Sequence, residues 1–208
     1  MPHLIEKLTA SERYPALFAQ AFDSAEITEE KIALALEAFL LTLTSYDSKF
    51  DQSLRGAAQL TAQEAEGFRL FMTEYEPRLG AYGADCFHCH GGALFTDHQF
   101  KNNGLGDTKD LGRYQVTKND RDKGKFITPS LRNIALTAPY MHDGRFATLE
   151  EVIDHYTFGI TSPEELSPVA PNLSKHGGAG IPLSAEDKAA LVAFLKTLTD
   201  PKYVKGGK

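Results

Sequence analysis

The chain has 208 residues, 22 Lys and Arg against 28 Asp and Glu, a formal net charge of −6 and 42% hydrophobic residues. That is the composition of one ordinary globular domain, or two small ones, able to bury a core without covalent staples. The acidic balance argues against nucleic acid as a partner, no apolar run approaches a membrane span, and Cys86 and Cys89 alone build no disulfide framework.

Met1–Gln20 lacks the charged, apolar and small-residue order of a signal peptide. Leu4, Ile5, Leu8, Leu17, Phe18 and Phe22 are instead spaced for one or two helices. Thr28 is placed to cap a helix from Glu29, along which Ile32, Leu36, Phe39, Leu40 and Leu43 recur at helical spacing. Thr61 and Glu64 form a capping-box pattern, and the helix they open carries Phe68, Phe71, Met72 and Tyr75 before Pro77 and Gly80 stop it. Cys86-Phe87-His88-Cys89-His90 follows directly.

Residues 91–132, rich in Gly, Asn, Asp and Thr, read as a long irregular loop, a length that goes with function in compact domains. Thr148 and Glu151 open a short helix with Leu149, Val152, Ile153 and Tyr156 on one face, and His155 on the face with Glu151. Residues 157–183 hold Pro, Gly and Ser and read as a second loop. Ser184 and Asp187 open a final helix striped by Leu191, Phe194, Leu195 and Leu198. No repeat and no convincing strand is visible.

Cys-x-x-Cys-His is the attachment pattern of c-type haem. Two thiols must reach the two vinyl groups of one porphyrin, and the following imidazole must come beneath the iron. Cys86, Cys89 and His90 supply these, with His90 as proximal ligand. Zinc held by Cys86, His88, Cys89 and His90 is the metal alternative, weakened by confinement to one short loop. The flanking helices, Thr61–Tyr75 and Ser184–Leu198, are the pair expected to cross over a covalently bound haem. The fold expected is therefore mainly α, a cytochrome c-like haem domain with long irregular loops wrapped around the haem.

Phe126-Ile127-Thr128-Pro129-Ser130-Leu131-Arg132-Asn133, then Pro139-Tyr140-Met141-His142-Asp143-Gly144 and Ala147-Thr148-Leu149-Glu150-Glu151-Val152, carry a more specific signal. This run resembles the C-terminal haem domain of the bacterial di-haem cytochrome c peroxidase/MauG family. Asn102-Asn103-Gly104-Leu105-Gly106 and Asp110-Leu111-Gly112-Arg113-Tyr114 also fit. Tyr14–Asp51 resembles the segment between that family's two haem motifs. The resemblance implies an N-terminal helical segment over 1–55 and a haem domain over 56–208. Family members carry two haem motifs and this chain carries one, so the missing partner is an N-terminal haem domain or subunit.

The resemblance also implies particular roles. The family's sixth-ligand position, counted on from His142, falls on Tyr156, with Met141 the alternative; His98, His155 and His176 read as surface or loop residues. Backbone carbonyls of Thr137 and Pro139 are implied as calcium ligands, and Arg132 as either a propionate contact or an ion pair. No catalytic residue is assigned. The implied function is the electron-transfer half of an oxidoreductase that reduces H2O2, supplied by a small redox-protein donor, with one covalent haem c and a Ca2+. A MauG-like enzyme oxidising a protein through high-valent haem, and a mono-haem electron carrier, are the alternatives. A homodimer stays open, and haem c attachment implies a periplasmic location.

Overall fold

The computed structural model describes residues 1–106, 109–161 and 180–204. The chain divides into two compact units, Met1–Thr44 and Ser45–Lys208. Most of the second loop, with His176, lies outside the described residues.

The first unit holds α1 (Pro2–Thr9), α2 (Tyr14–Phe22) and α3 (Glu29–Leu41). Its small core is Phe18, Ile27 and Ile32, with Ile5, Leu8 and Phe22 packed against it. The Thr28 side chain accepts from the Lys31 N–H at 3.2 Å and starts α3 where the sequence predicts. A helix apolar on all sides is ordinarily buried. Along α3 only Ile32 is buried, while Leu36, Phe39, Leu40 and Leu41 are each more than half exposed.

The second unit begins before α4 (Lys49–Leu54), which the sequence reading assigned to the N-terminal segment. The boundary lies earlier because this helix is anchored in the second core. The Phe50 N–H donates to the Thr197 carbonyl at 3.1 Å, and its ring meets Phe194 edge-on at 5.4 Å. Asp51 pairs with Arg132 at 2.9 Å. A capping box at Thr61 and Glu64 opens α5 (Ala62–Phe71), which stops sooner than the apolar spacing predicts. Tyr75 leaves the helical stripe because it pairs with Tyr82 in a hairpin of β1 (Tyr75–Glu76) and β2 (Ala81–Tyr82).

The long loop contains β3 (Phe100–Lys101), the single turn α6 (Tyr114–Thr117) and β4 (Phe126–Ile127), with β3 and β4 antiparallel. Strands of two residues leave no alternation for a sequence to display. Capping boxes at Thr148 and Ser184 open α7 (Leu149–Phe158) and α8 (Ala185–Lys196) as predicted.

Helices α5 and α8 approach at backbone distance. A Cβ on Gly67 would lie 1.9 Å from the Ala190 carbonyl oxygen and 2.8 Å from Phe194 Cβ. Around this crossing Phe194, fully buried, meets Phe68 and Phe71 at 5.2 Å each. Gly67→Ala is expected to push the helices apart and cost about 3 kcal/mol, the upper end of the overpacking range, measured by urea denaturation.

Candidate haem site

Cys86–His88 forms a single 3-10 turn, entered through Asp85 in the left-handed conformation with φ of 60°. The His90 N–H donates to the Cys86 carbonyl at 2.9 Å, which closes the motif into one compact loop. Both cysteines are free and half-buried. Burial, the nearby Asp85 carboxylate and Cys89 push the Cys86 thiol up to about 12, and burial raises Cys89 as well.

The two histidines of the motif face different surroundings. His88 is exposed, with Nε2 3.1 Å from Asp85 and 3.4 Å from Glu74. The His90 ring is set among backbone carbonyls: Nδ1 lies 3.2 Å from the Phe95 oxygen, and Pro129 offers a second acceptor. A carbonyl only accepts, so Nδ1 carries the proton and the Nε2 lone pair is available to a metal. Burial holds the imidazole below its ordinary value, and the carbonyls oppose it.

The Thr128–Arg132 run explains how Pro129 arrives there. The Thr96 hydroxyl donates to the Thr128 carbonyl at 2.7 Å, and the Ser130 hydroxyl to Leu94 at 2.6 Å. Arg132 Nε donates to Ala93 at 2.8 Å. Three rungs thus fasten segment 93–96 to segment 128–132 beside His90.

A second group of donors converges from other elements. The Asn103 side-chain amide donates to Tyr156 Oη at 3.3 Å and to Met141 Sδ at 3.5 Å. Burial pushes the Tyr156 hydroxyl up to about 12; the Asn103 hydrogen bond opposes this, and the charges of Cys89 and Cys86 add to it. Met141 reaches this place from a backbone φ of +70°, a region long side chains rarely adopt.

These residues fit a covalent haem. Tyr156, Cys86, Cys89, His90, Asn103 and Met141 are all half-buried, as residues that line a cleft are. Leu131, Ile134, Phe146 and Val152 pack on the core while staying partly exposed. Two thiols followed directly by an imidazole are the donor set through which a c-type haem is attached. Among the described residues no group of three or more His, Cys, Asp and Glu is arranged to hold a metal ion, so the zinc alternative lacks its ligands.

A model of the family described as di-haem cytochrome c peroxidase matches residues 1–59. Over 94% of the chain the sequence is 35% identical to the methylamine utilization protein MauG of Methylophilus methylotrophus. It is 34% identical, again over 94%, to the cytochrome c551 peroxidase of Nitrosomonas europaea. The chain belongs to the di-haem cytochrome c peroxidase/MauG family. A solved MauG-like protein associated with microbial copper homeostasis superimposes with a TM-score of 0.78 at 36% identity, over 96% of this chain and 62% of that one. The chain spans about half the length of the curated relatives it matches, 54% of MauG and 52% of the peroxidase.

Not every residue singled out by the family resemblance lies in this cleft. Arg132 makes the ion pair that was one of its two readings. Its two terminal nitrogens reach Asp51 at 2.9 Å each and its Nε serves Ala93, which joins α4 to the loop. Thr137 and Pro139 are exposed, just beyond the 3-10 turn Ile134–Leu136. His98 is exposed as expected. His155 is not: it is 4% exposed, with Nε2 3.1 Å from the Asn103 carbonyl and Nδ1 3.2 Å from that of Gly159. The helical periodicity of α7 misplaced it because residues 102–104, remote in sequence, cover that side of the helix. Asn103 is the residue that pattern reading missed as part of the site. Its only signal was membership of an Asn-Asn-Gly run.

Proposed function

We propose that this chain is the haem-bearing, electron-transferring half of a di-haem, peroxidase-type oxidoreductase that reduces H2O2. The observations that support it are the loop that holds two free thiols beside His90, whose Nδ1 faces the Phe95 carbonyl, and the separate Tyr156–Asn103–Met141 hydrogen-bonded group. A haem c bound through Cys86 and Cys89, with His90 and Tyr156 as proposed axial ligands, supplies one-electron chemistry there. His90 keeps its proton on Nδ1 and presents Nε2; Asn103 orients the opposing side chains. Reducing a peroxide to water takes two electrons, which is the reason for a second redox centre and for a small redox-protein donor.

The exposed apolar surface of α3 supports a partner. Leu36, Phe39, Leu40 and Leu41 carry the apolar area that a buried helix has. The proposed occupant is the other haem-bearing half of the assembly. Thr137 and Pro139 are the proposed backbone ligands of a calcium between the halves, completed by other hard oxygens. Haem c is attached outside the cytoplasm, so the proposed location is periplasmic; among the described residues no helix is long and apolar enough to cross a membrane.

A second reading, a MauG-like enzyme acting on a protein, is favoured by the placement of the Tyr156 hydroxyl at the site. Native mass spectrometry with haem quantification on the purified holoprotein tests the first reading. Two haems per assembly and peroxide-dependent oxidation of a reduced small cytochrome are expected. One haem, no associated polypeptide and no reaction with peroxide would replace it with a mono-haem electron carrier.

A further inference from the structure

We propose that Asn103 is the positioning residue that selects the sixth iron ligand, favouring the Tyr156 oxygen over the Met141 sulfur. The inference rests on the reading of Tyr156 as an iron ligand and adds what decides between the two candidates.

The argument begins with one amide and two acceptors. Nδ2 of Asn103 lies 3.3 Å from Tyr156 Oη and 3.5 Å from Met141 Sδ. A carboxamide has two N–H donors, so it serves both atoms at once and holds them side by side. The two bonds are unequal. A thioether is a weak acceptor, whereas a tyrosine bound to a metal is an anion, and hydrogen bonds to anions are about twice as strong as neutral ones. The amide therefore contributes most when the oxygen is the ligand.

Asn103 and Met141 are held in place. The Asn103 carbonyl lies 3.1 Å from Nε2 of the buried His155. The next residue, Gly104, donates its N–H to Asn102 Oδ1 at 2.9 Å and accepts from the Thr161 N–H at 3.0 Å. Met141 is kept at its φ of +70° by a turn in which the Tyr140 N–H donates to Phe146 at 2.7 Å and the Gly144 N–H to Met141 at 3.3 Å. A non-glycine residue persists there when its surroundings over-determine it. The sulfur is thus stationed beside the phenol, and the amide lies between them.

The test uses the holoprotein and the Asn103→Asp and Asn103→Leu variants, read by optical and EPR spectra and by reduction potential. Aspartate keeps the size and removes both donors; leucine removes polarity. Both variants are expected to lose the tyrosinate-to-iron charge-transfer band, gain a thioether-ligated low-spin signature and rise in potential. Adding Met141→Leu to Asn103→Leu should remove the gained signature. A residue that only supported the fold would lower stability and leave the band and the potential in place. On the unaltered protein, exchange into D2O should shift the resonance Raman iron–oxygen stretch, because the amide N–H becomes N–D. Persistence of the tyrosinate band in the variants, or a stretch insensitive to D2O, overturns the role of Asn103. Tyr156→Phe separates the two failures: if it leaves the spectrum unchanged, the ligand reading itself is wrong.

Discussion

Asp51→Ala is expected to destabilise the second unit by about 3–5 kcal/mol, the cost of breaking a buried ion pair by removing one partner. The Asp51 carboxylate receives Arg132 through two bonds of 2.9 Å, and the Ser48 N–H and hydroxyl at 3.0 and 2.7 Å. Neither partner has a solvent alternative, since the side chains are 13% and 10% exposed for Arg132 and Asp51. Alanine strands the guanidinium and removes half of the Ser48 capping box. Arg132 also holds Ala93, so the variant should loosen the segment that offers the Phe95 carbonyl to His90. Urea denaturation measures the stability term. A double variant, Asp51→Leu with Arg132→Met, should lose less than the two single variants together, because no uncompensated charge remains.

The same pair sets an acid limit. Burial works against ionisation of Asp51, yet hydrogen bonds from Arg132 and Ser48 outweigh it and hold the carboxyl below its ordinary value. A carboxyl depressed in the folded state adds stability that is complete above its unfolded value of about 3.9 and is lost as pH falls through the folded value. The protein should therefore lose stability steeply below about pH 4. Asp51→Asn should show a shallower slope there from a lower starting point, and equal slopes would remove Asp51 from the account.

What could be read from sequence was what is local in the chain. Capping boxes at Thr61, Thr148 and Ser184 each close over three residues, so the helix starts were visible before any tertiary contact. Cys86, Cys89 and His90 belong to one turn, and their chemistry was visible for the same reason. Contacts between distant residues were not. Asn103 meets Tyr156 across 53 positions and Arg132 meets Asp51 across 81, and no periodicity registers either. Arg132 carried two readings because a guanidinium suits a propionate and a carboxylate equally. The position of α4 followed from where Phe50 and Asp51 find partners, which composition does not encode.

Tyr156→Phe in the haem-loaded chain is expected to abolish the tyrosinate signature and raise the reduction potential by a sizeable share of the ~0.8 V range that axial ligands span. The substitution removes one oxygen and keeps the ring, so packing against α7 and its neighbours is retained. With the hydroxyl gone, the Asn103 amide retains Met141 Sδ, 3.5 Å away, as its acceptor at this place. The thioether is then the ligand at hand. An anionic oxygen favours ferric iron and a thioether favours ferrous iron, hence the upward sign. Met141→Leu should leave the optical spectrum and potential of the native protein unchanged. The reverse pattern, with Tyr156→Phe silent and Met141→Leu altering both, would assign the sulfur as ligand. The outcome bears directly on function. A tyrosinate-ligated centre of low potential retains oxidising equivalents, whether peroxide reduction or a protein substrate draws on them, whereas a thioether-ligated centre of high potential serves electron entry from a donor. Because Asn103 holds both candidate atoms, the two readings differ by which of its N–H groups faces the bound ligand.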